Sequence, residues 1–291
     1  MTCRVQVGSG RSSRSGLRAW VQVGPGLSRT HTAREMSSVQ FLTRLPLPRL
    51  AYHRISAQNP GVVFLPGFKS NMNGEKALAL EEFCRLAGHS FVRFDYTGCG
   101  SSDGNSEDCL LGDWKKDVLT VLDNLTTGPQ ILVGSSMGGW LMLLASLARP
   151  EKVAGVVGIA TAADQFVSAF KQLPLELRKE VEKTGEYKMS SKYSDSGFYT
   201  LKYDFIKESE EHCVLQSSIA ISCPVRLIHG MNDDLVPWQN SIKVAEQLAS
   251  DDVDVILRRN GDHRMSQSDD LKLLVGIVSD LMHKITKNNL K

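Results

Sequence analysis

The chain lacks any long apolar run. No apolar segment of its 291 residues reaches the ~18 residues that a membrane-spanning helix needs, so we predict no transmembrane segment. The chain also lacks an HExxH motif, any Cys/His spacing typical of a metal site, and any CxxC pair between Cys84 and Cys223. No internal repeat is visible. These absences argue against a membrane protein, a metalloenzyme and a repeat protein, and we predict no metal and no cofactor.

A nucleotide-binding loop is absent as well. Residues 95–102 are rich in glycine and follow the strand-like segment Phe91 to Phe94. They contain neither the Lys-Ser/Thr pair of a P-loop nor the GxGxxG spacing. We interpret them as a tight turn that supports the fold and takes no part in chemistry.

Acidic residues are missing from the first 34 positions. Residues 1–36 carry six arginines, frequent serine, no lysine and only Glu35 as an acid, and they lack the apolar core of a secretory signal. This composition predicts a mitochondrial transit peptide over 1–36, with the protein in the matrix; a basic tail that binds acidic partners is the alternative. Removing the segment leaves 28 basic and 31 acidic residues, a net charge of −3. The remaining chain therefore gives no indication of nucleic-acid binding.

Residues 134–138, Gly-Ser-Ser-Met-Gly, are the most informative motif that is present. They follow an apolar run at 130–133 and open a helical pattern that starts near Trp140. This strand–turn–helix context is what a nucleophile elbow requires. The turn exposes its central residue, Ser136, and only glycines at the flanking positions let the strand and helix pass each other. We predict Ser136 as the nucleophile, whereas Ser135 should point elsewhere.

A base and an acid follow at the ends of two later strands. The apolar segment 224–228 leads to Asp233, and the apolar segment 253–257 leads to His263. A serine hydroxyl needs such partners because it is a weak nucleophile at neutral pH. The chain order Ser136, Asp233, His263 is that of the α/β hydrolases and not that of the chymotrypsin or subtilisin folds.

Three neighbouring residues have weaker claims to the same roles. Asp234 is an alternative to Asp233 as the acid. We interpret Asp262 as a solvated carboxylate in a turn, and His229 as a hydrogen-bonded structural histidine at a strand end.

An acyl hydrolase also needs backbone donors for the oxyanion. The residue after the nucleophile, Met137, supplies one N–H group. The second should come from the turn after an early strand, and the strand-like segment 62–65 followed by Pro-Gly-Phe predicts the amide of Phe68.

The remaining pattern predicts a single α/β domain over 37–291. Apolar strands alternate with helical segments, which indicates a mostly parallel central sheet flanked by helices. The long insertion at about 162–217 should form a helical lid, with apolar residues from Phe166 to Val181 and an aromatic-rich stretch from Tyr187 to Phe205. We hypothesise that part of this lid lines an acyl pocket over Ser136. The alternative is that these apolar residues only attach the lid to the core.

The elbow, acid loop, histidine loop and the Asp-x-x-Gly-x-Gly-x-Ser turn together resemble the α/β-hydrolase superfamily over roughly residues 40–291. Within it, several strings are similar to mitochondrial members described as palmitoyl-protein thioesterases and acyl-glucuronide esterases. These strings are Phe94-Asp95-Tyr96 and residues 100–107, 128–136 and 252–258. The resemblance implies a Ser136–Asp233–His263 triad, with S-acylated proteins and small acyl esters, including acyl glucuronides, as substrates.

Two other function classes stay open. An aminopeptidase or a cofactor-free haloperoxidase can use the same fold, and a peptidase would need acids such as Glu208, Glu210 or Glu211 to bind a free amine. A non-catalytic binding module should have lost a triad residue, and none is missing.

Overall fold

The computed structural model describes residues 4–8, 38–194 and 196–289. The predicted transit peptide lies outside the described residues except for Arg4–Gly8, which form a strand that the sequence did not predict. The prediction of a transit peptide is not tested by this strand and stays a prediction.

Nine strands of the described chain form one central sheet. They are β1 (Arg4–Gly8), β2 (Gln40–Arg44), β3 (Leu47–Ile55), β4 (Gln58–Leu65), β5 (His89–Phe94), β6 (Gln130–Ser135), β7 (Val153–Ile159), β10 (Val225–Gly230) and β11 (Val253–Arg258), and a separate hairpin contains β8 (Glu186–Ser190) and β9 (Phe198–Lys202). The order across the sheet is β1-β11-β10-β7-β6-β4-β5-β3-β2. Within this described sheet only the β2–β3 and β3–β5 pairs are antiparallel, which confirms the predicted mostly parallel architecture.

Helices cover both faces of the sheet. They are α1 (Glu75–Ala87), α2 (Leu111–Leu125), α3 (Met137–Ala148), α4 (Gln165–Lys171), α5 (Leu175–Thr184), α6 (Tyr203–Ser209), α7 (Gln239–Gln247) and α8 (Ser268–Asn289). Helices α1 and α8 pack on one face, and α2, α3 and α7 contribute to the apolar core on the other. The central strands are therefore apolar on both sides, as expected for parallel strands under two helical layers.

Strand β4 illustrates how this sequence builds two cores at once. Successive side chains of a strand point to opposite faces. Val62 and Phe64 join the core under α1 and α8, whereas Val63 and Leu65 join the core under α2 and α3. All four side chains are buried.

The lid connects β7 to β10. It is helical at both ends, in α4, α5 and α6, but it carries the β8–β9 hairpin between α5 and α6. The hairpin lies in the aromatic-rich part of the predicted helical lid and was not itself predicted. Its alternation of half-buried Tyr187 and Met189 with exposed neighbours is the pattern of a strand with one covered face.

None of the helices in the described ranges combines the length and the hydropathy that crossing a bilayer requires.

Candidate active site

The turn between β6 and α3 holds Ser136 in a strained conformation. Its φ is 56° and its ψ is −120°, a region that side-chain-bearing residues rarely occupy. Such a residue costs about 1–3 kcal/mol and persists only where its surroundings hold it in place. Three backbone hydrogen bonds do so here. Ser136 N–H donates to the Ile159 carbonyl over 2.8 Å, and the Ser136 carbonyl accepts from the N–H groups of Gly139 (2.9 Å) and Ala162 (3.1 Å).

The glycines on either side of this turn are needed for close approach. A Cβ on Gly134 would lie 2.3 Å from the Gly138 carbonyl oxygen, and a Cβ on Gly138 would lie 2.2 Å from the Leu65 carbonyl oxygen. Both contacts are with backbone, so no side chain can move aside. The strand, turn and helix can therefore adopt this path only with glycine at 134 and 138.

The structure brings together the three side chains that the sequence predicted as a triad. The distance from Ser136 Oγ to His263 Nε2 is 3.0 Å, and the distance from His263 Nδ1 to Asp233 Oδ2 is 2.8 Å. Because an ionised carboxylate only accepts hydrogen bonds, Nδ1 carries the imidazole proton and Nε2 is free to accept from the serine hydroxyl. This is the arrangement in which a histidine can act as a general base.

Asp233 is held by hydrogen bonds on both oxygens. Oδ1 accepts from the backbone N–H groups of Leu235 (2.9 Å) and Val236 (2.8 Å), and the carboxylate is fully buried. Burial by itself would raise the pKa of Asp233, but the hydrogen bonds from His229, His263 and Val236 outweigh it and hold that pKa below its usual range. The carboxylate therefore stays ionised while it orients His263.

His229 is the residue that sequence reasoning underestimated. Its Nε2 lies 3.0 Å from Asp233 Oδ2 and 3.1 Å from the Val236 carbonyl oxygen, and its Nδ1 lies 2.7 Å from Ser241 Oγ. Both neighbours of Nε2 are acceptors, so Nε2 carries the proton and Nδ1 accepts from the Ser241 hydroxyl. The fully buried His229 side chain thus donates to the same carboxylate oxygen as His263. The signal in the sequence is the spacing of four residues from His229 to Asp233 across a strand end.

The weaker candidates take other partners. Asp234 forms an ion pair with Lys192 over 3.1 Å instead of contacting His263. Asp262 Oδ1 accepts from the Met265 N–H over 3.0 Å, as a turn carboxylate does. Ser135 is buried within β6.

The predicted oxyanion donors flank Ser136. Met137 is the first residue of α3, and N–H groups in the first turn of a helix have no intrahelical partner. The turn that carries Phe68 passes the nucleophile so closely that a Cβ on Gly67 would lie 3.3 Å from the Ser136 Cβ. The Tyr96 hydroxyl donates to the Pro66 carbonyl over 3.1 Å and anchors this turn.

The glycine-rich turn at 95–102 holds the loop above the site. Asp95 Oδ1 accepts from the Met72 N–H (2.7 Å), and Oδ2 accepts from the Ser101 N–H (2.8 Å). Gly100 has a φ of 51°, and a Cβ there would lie 2.1 Å from Asp95 Oδ2. The turn thus ties residues near Met72 to the end of β5.

A cavity of about 520 Å³ opens over Ser136 and His263. Phe68 lies at one side of it, and its ring contacts Phe166 and Tyr199 of the lid at centroid distances of 5.5 and 5.7 Å. Lid residues that line the cavity are Phe166, Met189, Tyr193 and Tyr199. The lid therefore supplies apolar surface to the space beside the serine.

The acids that could have bound a substrate amine lie elsewhere. Glu208 accepts from the Gly112 N–H over 3.0 Å and contacts His212, and Glu210 pairs with Lys171. Neither they nor Glu211 are among the cavity-lining residues, and Glu75 is the carboxylate found there within the described chain. Among the same described residues, no cluster of three His, Cys, Asp or Glu side chains has the geometry to hold a metal ion.

The sheet order, the turn at Ser136 and the carboxyl-end loops with Asp233 and His263 define an α/β hydrolase. The family model described as "alpha/beta hydrolase fold" matches residues 60–203. The chain belongs to the α/β-hydrolase family, and it is a serine hydrolase.

Particular members of the family are similar over most of the chain. The human protein named "Palmitoyl-protein thioesterase ABHD10, mitochondrial" is 56% identical over 253 residues, which cover 87% of this chain and 83% of that protein. The solved structure of alpha/beta hydrolase domain-containing protein 10 from mouse is 55% identical, with a TM-score of 0.83 over 86% of this chain and 100% of that chain. A putative hydrolase from Agrobacterium vitis S4 is 31% identical, with a TM-score of 0.78 over 84% of this chain and 98% of that chain.

Proposed function

We propose that this protein hydrolyses acyl thioesters and esters through an acyl-enzyme formed on Ser136. The observation that carries the proposal is the hydrogen-bonded series from Ser136 Oγ through His263 to Asp233, with distances of 3.0 and 2.8 Å. This hydrogen-bonded series begins at Ser136, whose strained backbone conformation directs its hydroxyl toward the cavity. Nucleophile, base and orienting acid are the groups that covalent acyl transfer requires.

Acylation starts when the Ser136 hydroxyl attacks the acyl carbon. His263 Nε2 takes the hydroxyl proton as the new C–O bond forms, and Asp233 stabilises the imidazolium through Nδ1–H. The N–H groups of Met137 and Phe68 bind the oxyanion, and each such donor is worth about 10²–10³ in rate. His263 then returns the proton to the departing thiol, alcohol or sugar oxygen as the bond to the acyl carbon breaks.

Deacylation repeats the same chemistry with water. His263 Nε2 takes a proton from the water that attacks the acyl-enzyme, and the bond to Ser136 Oγ breaks as the serine regains its proton. The product is the free carboxylic acid.

The physiological reaction that we propose is removal of S-acyl groups from mitochondrial proteins and hydrolysis of acyl glucuronides, in the matrix. The name of the human relative, a mitochondrial palmitoyl-protein thioesterase, supports the first substrate class and the organelle. The apolar lid side of the cavity, at Phe166, Met189 and Tyr199, suits an acyl chain. Hydrolysis of acyl glucuronides depends on the sequence resemblance.

Fluorophosphonate labelling of the full chain is the first test. The reagent phosphonylates only a serine that a neighbouring base activates, so we expect labelling of the wild type and none of Ser136→Ala. Ser135→Ala is the matched control, because it removes the adjacent hydroxyl and leaves the triad intact. Folded wild-type protein that does not react would refute the triad and favour a binding module.

Hydrolysis assays then sort the substrates. We expect release of palmitate from a palmitoyl thioester and of the aglycone acid from an acyl glucuronide, both abolished in Ser136→Ala. If the protein is labelled but cleaves peptides with a free amino terminus instead of these esters, it is an aminopeptidase.

The contribution of the lid is tested by truncating one ring. Tyr199→Ala enlarges the apolar side of the cavity and should move the preference toward longer or bulkier acyl chains, with labelling of Ser136 retained. The control is Leu175→Ala, since Leu175 is an exposed apolar residue of α5 that does not line the cavity. An unchanged chain-length profile in Tyr199→Ala would mean that the lid only packs on the core.

A further inference from the structure

Two cations, Lys76 and Arg264, lie on the His263 side of the cavity. Lys76 Nζ donates to the Arg264 carbonyl oxygen and, over 3.1 Å, to Ser266 Oγ. The Arg264 guanidinium lies over the Tyr193 ring, 4.5 Å from its centroid. Neither cation forms an ion pair with a carboxylate of the described chain, and both line the cavity that contains Ser136.

The carboxylates that face Lys76 are already engaged or lie outside ion-pair distance. Asp262, on the loop after β11, accepts from the Met265 N–H. Asp270, at the start of α8, pairs with Arg258. Glu75 precedes Lys76 on α1 and is exposed. Within the described residues, the ammonium group therefore has one N–H donor without an acceptor, and the charges of Asp262, Glu75 and Asp270 act on it only from beyond ion-pair distance.

Burial makes that charge costly. Burial lowers the pKa of Lys76 to about 8; Arg264 adds to this effect, whereas Asp262, Glu75 and Asp270 oppose it. An anion bound between Lys76 and Arg264 would relieve both the desolvation and the repulsion of the two cations. Among the described residues that line the cavity, three cations, Lys69, Lys76 and Arg264, stand against one carboxylate, Glu75. A partly enclosed cavity with such an excess of positive charge is suited to an anionic ligand.

The position of the cations relative to His263 identifies which part of a substrate they meet. The ring of Tyr193 lies 6.1 Å from the His263 ring, between centroids, and carries Arg264 on its face. The leaving group must approach His263 Nε2, since that atom protonates it. The aromatic side of the cavity, at Phe68, Phe166 and Tyr199, is left for the acyl chain.

We propose that Lys76 and Arg264 form a subsite for a carboxylate or phosphate carried by the leaving group of the substrate. The inference rests on the proposed acyl-hydrolase function and names a substrate class for it: acyl esters whose leaving group is anionic. The subsite separates the two kinds of substrate proposed above, because a glucuronate leaving group carries a carboxylate at this position and an uncharged peptide thiol does not.

A pair of esters with the same acyl chain tests the subsite in the full-length enzyme. One is the octanoyl ester of 4-hydroxybenzoate, and the other is the octanoyl ester of 4-hydroxybenzamide, its uncharged isostere. The measured quantity is the ratio of kcat/KM for the anionic ester to kcat/KM for the neutral one. A hydrogen bond to a charged group strengthens binding by about 10- to 150-fold, and solvent at the cavity mouth screens part of this effect. We therefore expect this ratio to fall about tenfold in Lys76→Met and in Arg264→Gln, with hydrolysis of the neutral ester little changed.

Lys69→Met is the matched control. Lys69 also lines the cavity, but it donates to Ser106 Oγ over 3.1 Å and lies beside Phe68, on the acyl side. We expect the ratio to be unchanged in this variant. An equal fall of the ratio in all three variants would contradict a localised subsite, because it would show that the overall positive charge of the cavity causes the effect. An unchanged ratio in both Lys76→Met and Arg264→Gln would refute the proposal outright.

The pH dependence supplies a second readout. The ratio in the wild type should decline as the pH rises from 7 to 9, because Lys76 loses its charge near its lowered pKa, and Lys76→Gln should abolish that decline. A decline of equal size in Lys76→Gln would contradict the assignment. Failure of the proposed function is distinct from failure of the subsite: neither ester would then be cleaved, and Ser136 would not be labelled.

Discussion

Replacing His229 tests whether the second histidine on Asp233 supports catalysis or only the fold. His229→Phe keeps an aromatic ring in the buried site but removes the N–H that donates to Asp233 Oδ2 over 3.0 Å. The carboxylate then keeps His263 and the two backbone donors, but Oδ2 loses one of its two donors and is held less firmly against His263. We expect kcat to fall with KM little changed, because the loss acts on the orientation of His263 and not on substrate contacts.

The size of the effect follows from the contacts. A hydrogen bond to a charged group is worth about 1.5–3 kcal/mol, which corresponds to about 10- to 150-fold in rate if it is fully expressed in the transition state. Stability should fall as well, because the Val236 carbonyl and the Ser241 hydroxyl lose their buried partner. Each such unsatisfied group costs about 1–3 kcal/mol.

The assay separates the two effects by measuring kcat, KM and the melting temperature together. His229→Gln is the matched variant, since its amide nitrogen can take the place of Nε2–H and restore part of kcat. Ser241→Ala is a milder perturbation, which removes only the hydroxyl that donates to His229 Nδ1. The acidic limb of kcat/KM should also move to higher pH in His229→Phe, because a carboxylate with fewer donors favours the imidazolium more strongly.

A particular combination of results would refute this reasoning. If His229→Phe lowers the melting temperature while kcat and the acidic limb stay at wild-type values, His229 has a structural role alone. The same conclusion follows if His229→Gln is no more active than His229→Phe at equal stability.

Three further predictions follow from the same contacts. Asp233→Asn should lower kcat by about 10⁴-fold. Because the pKa of Asp233 is lowered on folding, protonation of this carboxyl reduces the unfolding free energy of the wild type below about pH 4. The variant has no carboxyl at this position and should not show that contribution to acid destabilisation. A loss of less than tenfold in kcat would count against its role. Gly138→Ala should destabilise the protein by about 1–3 kcal/mol or more, since its Cβ would meet backbone at 2.2 Å. Gly276 lies on the exposed side of α8, where a Cβ has open space, so Gly276→Ala should stabilise the protein by up to about 1 kcal/mol. Equal melting temperatures of the two variants would contradict the packing argument. Lys76 has its pKa lowered from 10.5 to about 8 on folding, so the unfolded state binds more protons in that window and wild-type stability should rise with pH there. Melting curves of Lys76→Met should lack this rise, and a parallel rise in both proteins would show that another group causes it.

The central sheet and its main helices were predictable because their apolar periodicity is strong. The apolar pattern predicts helices over 73–87, 111–125 and 271–285. Helix α2 has the second of these ranges, and α1 begins at Glu75, two residues later than the pattern predicts, because Gly74 is an extended N-cap. Helix α8 extends beyond 271–285 at both ends. Its polar first and last turns carry no apolar signal, although the acids Asp269 and Asp270 suit a helix N-terminus.

The parts that sequence reasoning missed depend on pairing between distant segments. The lid hairpin β8–β9 has few apolar residues per strand, and its aromatic residues equally suit packing under a helix. The contact of His229 with Asp233 arises because a loop turns back on its own strand, and neither residue type alone indicates it. The nucleophile turn was easier to predict, since Gly134 and Gly138 are required by local geometry.

The edge strand β1 lies in the predicted transit peptide, so cleavage of that peptide would remove a strand from the central sheet. Strand β11, which delivers the loop of His263, lies between β10 and β1, with Arg4 opposite Asp254 and Gly8 opposite Arg258. Cleavage after residue 36 would turn β11 into the border of the sheet and leave one row of its backbone groups unpaired. Amide hydrogen exchange along Val253–Arg258 would then be faster in the processed chain than in the full one. If the predicted transit peptide is removed, its segment Arg4–Gly8 would thus support the strand that precedes the His263 loop only until that cleavage.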